Sequence, residues 1–334
     1  MPRPATFPEI VEGRVGAGHP LYWGWWSLLP PAIRGSIFRR MSATTQHGRF
    51  PSRFGAVSLI TAGLVLAGAV PAAALSTSSV PAVATASAAP SSNWWSSWHR
   101  DYVALGDSFT AGQGAPPYKP GPCLQSRYTG YPTIAATFSR YRLTENKACS
   151  GATVADTTAQ LAGVATGTDL VTLTVGAIDV GSNDVLAACA LNPDPTVDPC
   201  KTAIEASTVK LAQLGPQLVG LYTTIAATLP EARIVVLNYP HLFNPGVAPL
   251  GDLVNTATDA LNVVIAGAVA ASGNPRVAYV DATQEFAGHG IGSRLPYISF
   301  DQNDVFAVAN FHPNVLGNSL GYARALSNDR VLSP

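Results

Sequence analysis

Short β-rich runs alternate along this chain with long helix-periodic stretches, and that alternation limits the fold more than any other feature. Strands separated by helices pair in parallel, and a parallel sheet needs cover on both faces. The runs span residues 102–105, 170–175, 233–237 and 276–280, and each is followed by Gly, Asn or Asp. Between the second and third runs, Ile204, Thr208, Leu211, Leu214, Leu218, Tyr222, Ile225 and Leu229 recur at helical steps. After the third, Leu253, Ala257, Leu261, Val264 and Ala268 repeat the pattern. Such spacing lays apolar side chains along one face of a helix. The expected fold class is α/β, a three-layer α/β/α sandwich around a parallel sheet, over residues 95–334. Loops at the carboxyl ends of the strands then carry the functional site. Pro216, inside the first helical pattern, predicts a kink or two shorter helices.

The N-terminal quarter lacks this pattern. Arg39, Arg40, Arg49 and Arg53 precede an uncharged apolar run over residues 54–70, which ends in Pro71-Ala72-Ala73-Ala74. A basic segment, a short apolar segment and an Ala-x-Ala site form a secretory signal peptide, placed here over residues 41–74. Met1 and Met41 are the only methionines, and a start at Met41 makes residues 1–40 an upstream extension. The alternative is an uncleaved membrane anchor, since a run of about 17 residues sits at the lower edge of spanning length. The apolar patch Leu21-Tyr22-Trp23-Gly24-Trp25-Trp26 fits that alternative. Residues 75–94, wholly uncharged and rich in Ser, Ala and Pro, read as a linker. Cleavage would leave a secreted monomer with no stable membrane insertion.

Lys and Arg number 20, as do Asp and Glu, so the basic surplus that a nucleic-acid partner calls for is missing. The four cysteines, Cys123, Cys149, Cys189 and Cys200, form an even set that in an exported chain points to two disulfides. Of the three connectivities, pairing Cys189 with Cys200 closes the Pro- and Asp-rich stretch between them and leaves Cys123 for Cys149. Metal binding is the weaker reading, because no C-x-x-C or nearby histidine gives ligand spacing. No P-loop or dinucleotide fingerprint occurs, and no cofactor is expected.

The first run leads into Gly106-Asp107-Ser108, which would deliver the Ser108 hydroxyl to the carboxyl edge of a sheet. A serine hydroxyl needs a base at neutral pH, and Phe311-His312-Pro313-Asn314 offers one. Asp107 is expected to stabilise the turn by accepting from nearby amides rather than to act as an acid.

Gly106-Asp107-Ser108-Phe109, Ala148-Cys149-Ser150-Gly151-Ala152-Thr153 and Phe311-His312-Pro313-Asn314 together resemble the SGNH (GDSL) hydrolase family. The pattern is closest to that family's secreted actinobacterial lipases and esterases. The resemblance implies a flavodoxin-like sheet and a carboxylic-ester hydrolase acting on small-molecule or lipid esters through an acyl-enzyme. It makes Ser108 the nucleophile, His312 the base, and the amides of Ser108 and Gly151 donors to the oxyanion.

Two positions depart from the family pattern. The family has Gly-x-Asn-Asp after its third strand, the Asn side chain supplying a further oxyanion donor, whereas this chain reads Gly176-Ala177-Ile178-Asp179. Isoleucine donates no hydrogen bond, and losing one such donor costs a factor of about 100 to 1000 in turnover. Five residues on, Gly181-Ser182-Asn183-Asp184 restores the letters, and Asn183 is either a replacement donor or a helix cap. The family's Asp three residues before the histidine is here Ala309. The acceptor that orients His312 is then a main-chain carbonyl, of Ala309 or a neighbour, with the Asp304 carboxylate as the alternative. His289, in Gly288-His289-Gly290, lines the site or bonds its own loop. The rival to an esterase is a weakly active or non-catalytic binding protein on the same fold.

Overall fold

The computed structural model describes residues 99–190, 192–304 and 306–333. The upstream extension, the signal peptide and the linker expected from the sequence lie outside the described residues.

Five strands form the sheet: β1 Arg100–Gly106, β2 Tyr141–Asn146, β3 Leu170–Thr174, β4 Arg233–Leu237 and β5 Val277–Val280. Their spatial order is β2-β1-β3-β4-β5, with every neighbouring pair parallel. This flavodoxin-like order reverses direction between β1 and β3. At such a reversal the connecting loops part and leave a crevice at the carboxyl ends of the strands. Ser108 lies just beyond the end of β1, at that crevice.

Every residue of β3 is buried, as are Ile234 to Leu237 of β4, so both faces of the sheet are covered. The helices are α1 Ser108–Ala111, α2 Tyr131–Thr137, α3 Val154–Ala159, α4 Ser182–Cys189, α5 Cys200–Thr228, α6 Pro249–Ala271 and α7 Thr283–Phe286. A stretch of π-helix, Gly317–Ala323, continues into α8, Arg324–Asn328. The core gathers Leu173, Val235, Leu218, Tyr222 and Ile225, each at 0% exposure. Burying a side chain of this size contributes about 1.5–3 kcal/mol. Both expected disulfides form, Cys123–Cys149 and Cys189–Cys200.

Four sequence expectations need correction. Pro216 neither splits nor ends α5, which runs through 29 residues. Leu214, Leu218, Leu221 and Tyr222 are buried on both sides of the proline, and that packing outweighs one missing main-chain bond. The C-terminus of α5 is held by Arg276, whose guanidinium donates to the carbonyls of Ala226, Leu229 and Ala232 at 2.7, 2.9 and 2.8 Å. A cation is favourable at this end of a helix.

The second correction concerns α6, whose buried face is Val254, Leu261, Ile265 and Ala268, so that Ala257 is exposed. The face also carries Asn255 and Asn262, which pair with the main chain of Phe243 and Tyr239 and pin the loop after β4. By length and apolar composition α6 would suit a membrane span, yet here it covers the sheet. Third, strand β2 was not among the expected runs: it pairs only with β1, and its Arg142 is exposed. Fourth, β5 starts at Val277, since Arg276 serves the helix end.

Gly106 is where β1 turns out of the sheet, and it adopts φ +115°, a conformation that favours glycine. A Cβ there would lie 2.2 Å from the carbonyl oxygen of Thr174. Gly106→Ala is therefore expected to cost about 2–4 kcal/mol through strain and overpacking. For a domain of this size that lowers the melting temperature by roughly 5–15 °C. An unchanged melting curve by circular dichroism would contradict this account of the β1–β3 junction.

Candidate active site

Beyond β1, α1 is a single turn capped by Asp107, whose carboxylate accepts from the Phe109 amide at 3.0 Å. Asp107 is 1% exposed. It also accepts from the Thr174 hydroxyl at 2.7 Å and from the hydroxyl of Tyr239. The amide of Asp107 donates to the carbonyl of Thr174 at 3.0 Å. Burial pushes the Asp107 carboxyl up to about 6, against the pull of these donors. Asp107 thus stabilises the turn, as the sequence suggests, and does not touch His312.

Behind the turn runs a fully buried chain of hydroxyls. Thr174 bonds Thr110 at 2.8 Å, Thr110 bonds Tyr131 at 3.1 Å, Tyr131 bonds Thr172 at 3.0 Å, and Thr172 bonds Tyr102 at 2.5 Å. Because Thr174 gives its proton to a carboxylate, it is left to accept from Thr110. Every polar atom in the chain is satisfied, as a low-dielectric interior demands.

The Ser108 Oγ and the His312 Nε2 are 2.8 Å apart. His312 Nδ1 lies 2.8 Å from the carbonyl oxygen of Asn310. A carbonyl can only accept, so Nδ1 carries the proton and Nε2 presents its lone pair to Ser108. The orienting acceptor is of the first expected kind, a main-chain carbonyl, and comes from the neighbour of Ala309. The Asp304 carboxylate accepts from the Phe306 amide, and the Asp304 carbonyl takes the side chain of Asn310 at 2.9 Å. Burial lowers the His312 pKa to about 4, although the Asn310 carbonyl works in the other direction. Ring packing against Phe109, centroid to centroid at 5.1 Å, holds the imidazole from one side.

The residue before the histidine is strained. Phe311 takes φ +63°, which is uncommon for a side chain of this size. Its ring packs against Phe300 at 5.4 Å and Phe243 at 6.1 Å, and its amide donates to Ser299. Those contacts sustain a turn that aims the Asn310 carbonyl and the His312 ring at each other. Neither Phe311 nor Asn310 carries a sequence signal for this role, since the acceptor is a main-chain atom.

Gly151 adopts φ +79° with open space where a Cβ would stand, so the main chain is approachable there. Flanking amides are all occupied: Ser150 donates to Cys123, Ala152 to Cys149, Asp107 to Thr174 and Phe109 to Asp107. Among the described residues, the amides of Ser108 and Gly151 have no acceptor. Main-chain donors left without a protein acceptor beside the Ser108 hydroxyl suit a developing anion.

In the loop after β3 the family's Asn position holds Ile178, whose side chain donates no hydrogen bond. Ile178 is half-buried there, and its carbonyl accepts from Gly181. Asp179, beside it, accepts from the Val154 amide through both carboxylate oxygens at 3.1 Å and so fixes the start of α3. Asn183 is exposed in the first turn of α4, which is capped by Gly181 instead. Among the described residues no hydrogen bond joins Asn183 to Ser108, Gly151 or His312. His289 bonds the carbonyl of Leu295 at 2.9 Å and stacks on Tyr297, the loop-holding alternative for this residue. No grouping of His, Cys, Asp and Glu among the described residues could hold a metal ion.

The sequence pattern of the GDSL-like lipase/acylhydrolase family matches residues 104–320. The chain is 35% identical to a lipase of Streptomyces rimosus over 243 residues, 68% of this chain and 86% of that protein. It is 31% identical over 236 residues to lipase 1 of Streptomyces coelicolor, with 68% and 85% covered. The crystal structure of the extracellular lipase from Streptomyces rimosus superposes with a TM-score of 0.61 at 34% identity, covering 69% of this chain and 99% of that one. Phospholipase A1 from Streptomyces albidoflavus gives 0.62 at 30% identity with the same coverage. The matched span takes in the Ser108 turn, the Gly151 loop and His312, and the chain belongs to the GDSL-like lipase/acylhydrolase family.

Proposed function

We propose that the ester hydrolysis belonging to this family runs here through an acyl-enzyme on Ser108, with His312 as general base. One observation carries the reading: the Ser108 hydroxyl faces the lone pair of a neutral imidazole at 2.8 Å. His312 takes the proton as Ser108 Oγ bonds to the ester carbonyl carbon, and the carbonyl electrons move onto oxygen. The amides of Ser108 and Gly151 hold that oxyanion. Its collapse breaks the carbon–oxygen bond to the alcohol, which leaves with the proton from His312. Water then repeats the sequence on the acyl-serine and frees the acid.

Ser108 and His312 thus work as a dyad oriented by a carbonyl, and Asn183 has no part in the reaction. Phe300 and Val308, exposed on the loop that carries His312, offer an apolar surface to the acyl part of a lipid or small-molecule ester. Two disulfides suit an exported chain, and the Streptomyces rimosus relative is an extracellular lipase. We therefore read residues 41–74 as an export signal and the mature chain as a secreted monomer.

With p-nitrophenyl butyrate as substrate, Ser108→Ala and His312→Ala are expected to lose at least about a thousandfold in kcat. A phosphonate ester should label Ser108 in the wild type only. Wild-type turnover no faster than that of Ser108→Ala would overturn the proposal.

A two-donor oxyanion hole implies modest turnover, and Ile178→Asn should raise kcat by roughly tenfold or more by adding the side-chain amide. No gain, with the variant folded, would show that the hole is already complete.

His312 must be neutral to accept a proton, so activity is lost as pH falls through its pKa. Since burial sets that value at about 4, kcat/KM should stay high well below the ordinary histidine value of 6.5. Asp107 exchanges its proton at about 6 and is expected to add a shallow step there, absent in Asp107→Asn. An acid limb centred at or above pH 6.5 in both proteins would contradict the depressed imidazole.

A further inference from the structure

Gln113 sits just after the nucleophile turn and touches each of the three loops that converge on the crevice. Its amide donates to the carbonyl of Ser108 at 3.0 Å. Its side-chain Oε1 accepts from the Ser150 hydroxyl at 2.5 Å, and its Nε2 donates to the carbonyl of Val308 at 2.6 Å. The Tyr118 hydroxyl donates to its main-chain carbonyl and fixes it from outside. The orientation of the side-chain amide follows from chemistry, because the Val308 carbonyl accepts only and must face the NH2 group.

Each partner lies on a loop that carries a site group. Ser150 precedes Gly151, whose amide is free to meet an oxyanion. Val308 begins the turn in which Asn310 bonds Nδ1 of His312 and the Ala309 carbonyl receives the His312 amide. The partners are 37 and 195 residues away in sequence, so these bonds join loops that no local structure holds together. We infer that Gln113 is a positioning residue, a strap that sets the oxyanion loop and the base loop at their working distance from Ser108.

The inference rests on the esterase reading. A side chain that only stabilised the fold would act on folding alone, whereas a strap acts on the geometry of the transition state. Misplacement by about 1 Å costs on the order of 100-fold in rate. Replacing Gln113 by glutamate separates the two arms. The carboxylate still accepts from Ser150, but it turns a second acceptor toward the Val308 carbonyl. Once protonated, it can donate there and re-form both bonds.

The test measures kcat and KM for p-nitrophenyl butyrate from pH 5 to 8 in wild type, Gln113→Met, Gln113→Glu, Ser150→Ala and the Gln113→Met/Ser150→Ala double variant, beside Ser108→Ala. Expected are a fall in kcat of roughly 10–100-fold in Gln113→Met with KM within about twofold. Ser150→Ala should cost less, and nothing further in the Gln113→Met background, as for two residues sharing one bond. Gln113→Glu should regain several-fold in kcat relative to wild type as pH falls from 7 to 5, a recovery that Gln113→Met lacks. Gln113→Met within twofold of wild type, additive losses in the double variant, or a Gln113→Glu profile parallel to wild type would overturn the strap. A wild type no faster than Ser108→Ala would instead remove the esterase reading, a result distinct from a fast wild type that ignores Gln113.

Discussion

A buried carboxylate governs how this domain presents its serine. Asp107 collects the Phe109 amide, the Thr174 hydroxyl and the Tyr239 hydroxyl, and these come from the ends of three adjacent strands. An ionised group so far from water is costly unless fully bonded, so the three strand ends cannot drift apart without exposing that cost. The hydroxyl chain from Thr174 to Tyr102 extends the same constraint into the sheet. Ser108 is therefore fixed by its neighbour, and its hydroxyl bonds to His312.

The other two loops are held by different means. The Gly151 loop is tied on one side by the Cys123–Cys149 bridge and on the other by Asp179, which takes the first amide of α3. A capping box between Thr153 and Asp156 adds a third hold on the same helix start. The His312 loop has no disulfide and spends strain at Phe311, about 1–2 kcal/mol for a non-glycine in this region. Aromatic packing with Phe243 and Phe300 offsets that strain. At Gly114 the nucleophile loop comes so close that a Cβ would lie 2.3 Å from the Pro313 carbonyl. One loop is thus clamped covalently and another by close packing, and Gln113 is the side chain that bonds to both.

Legibility in the sequence followed burial. The inner strands β1, β3 and β4 read as apolar runs because both of their faces are covered. Edge strand β2, Tyr-Arg-Leu-Thr-Glu-Asn, is wet on one side and reads as nothing in particular. Pro216 looked like a break because local rules see one missing hydrogen bond and cannot see the surface that α5 covers. The Ser108–His312 pair and the Gly151 loop were legible since they stand within recognisable blocks. The Asn310 carbonyl was not, as every residue carries one. Gln113 was invisible for a related reason, because its meaning lies in partners on two distant loops.

The loop after β3 shows why a missing donor need not mean a damaged site. In the family pattern an Asn and an Asp stand side by side, and here only the Asp is kept. Asp179 does positional work, since both of its oxygens fasten Val154 and with it the helix that follows Gly151. The adjoining position has no such duty: Ile178 makes its main-chain bond to Gly181 whatever its side chain. Replacing the Asn by Ile therefore removes a side-chain donor without loosening the Gly151 loop. Geometry and chemistry are carried by neighbouring residues, so the chain can lose part of one while the other stays intact.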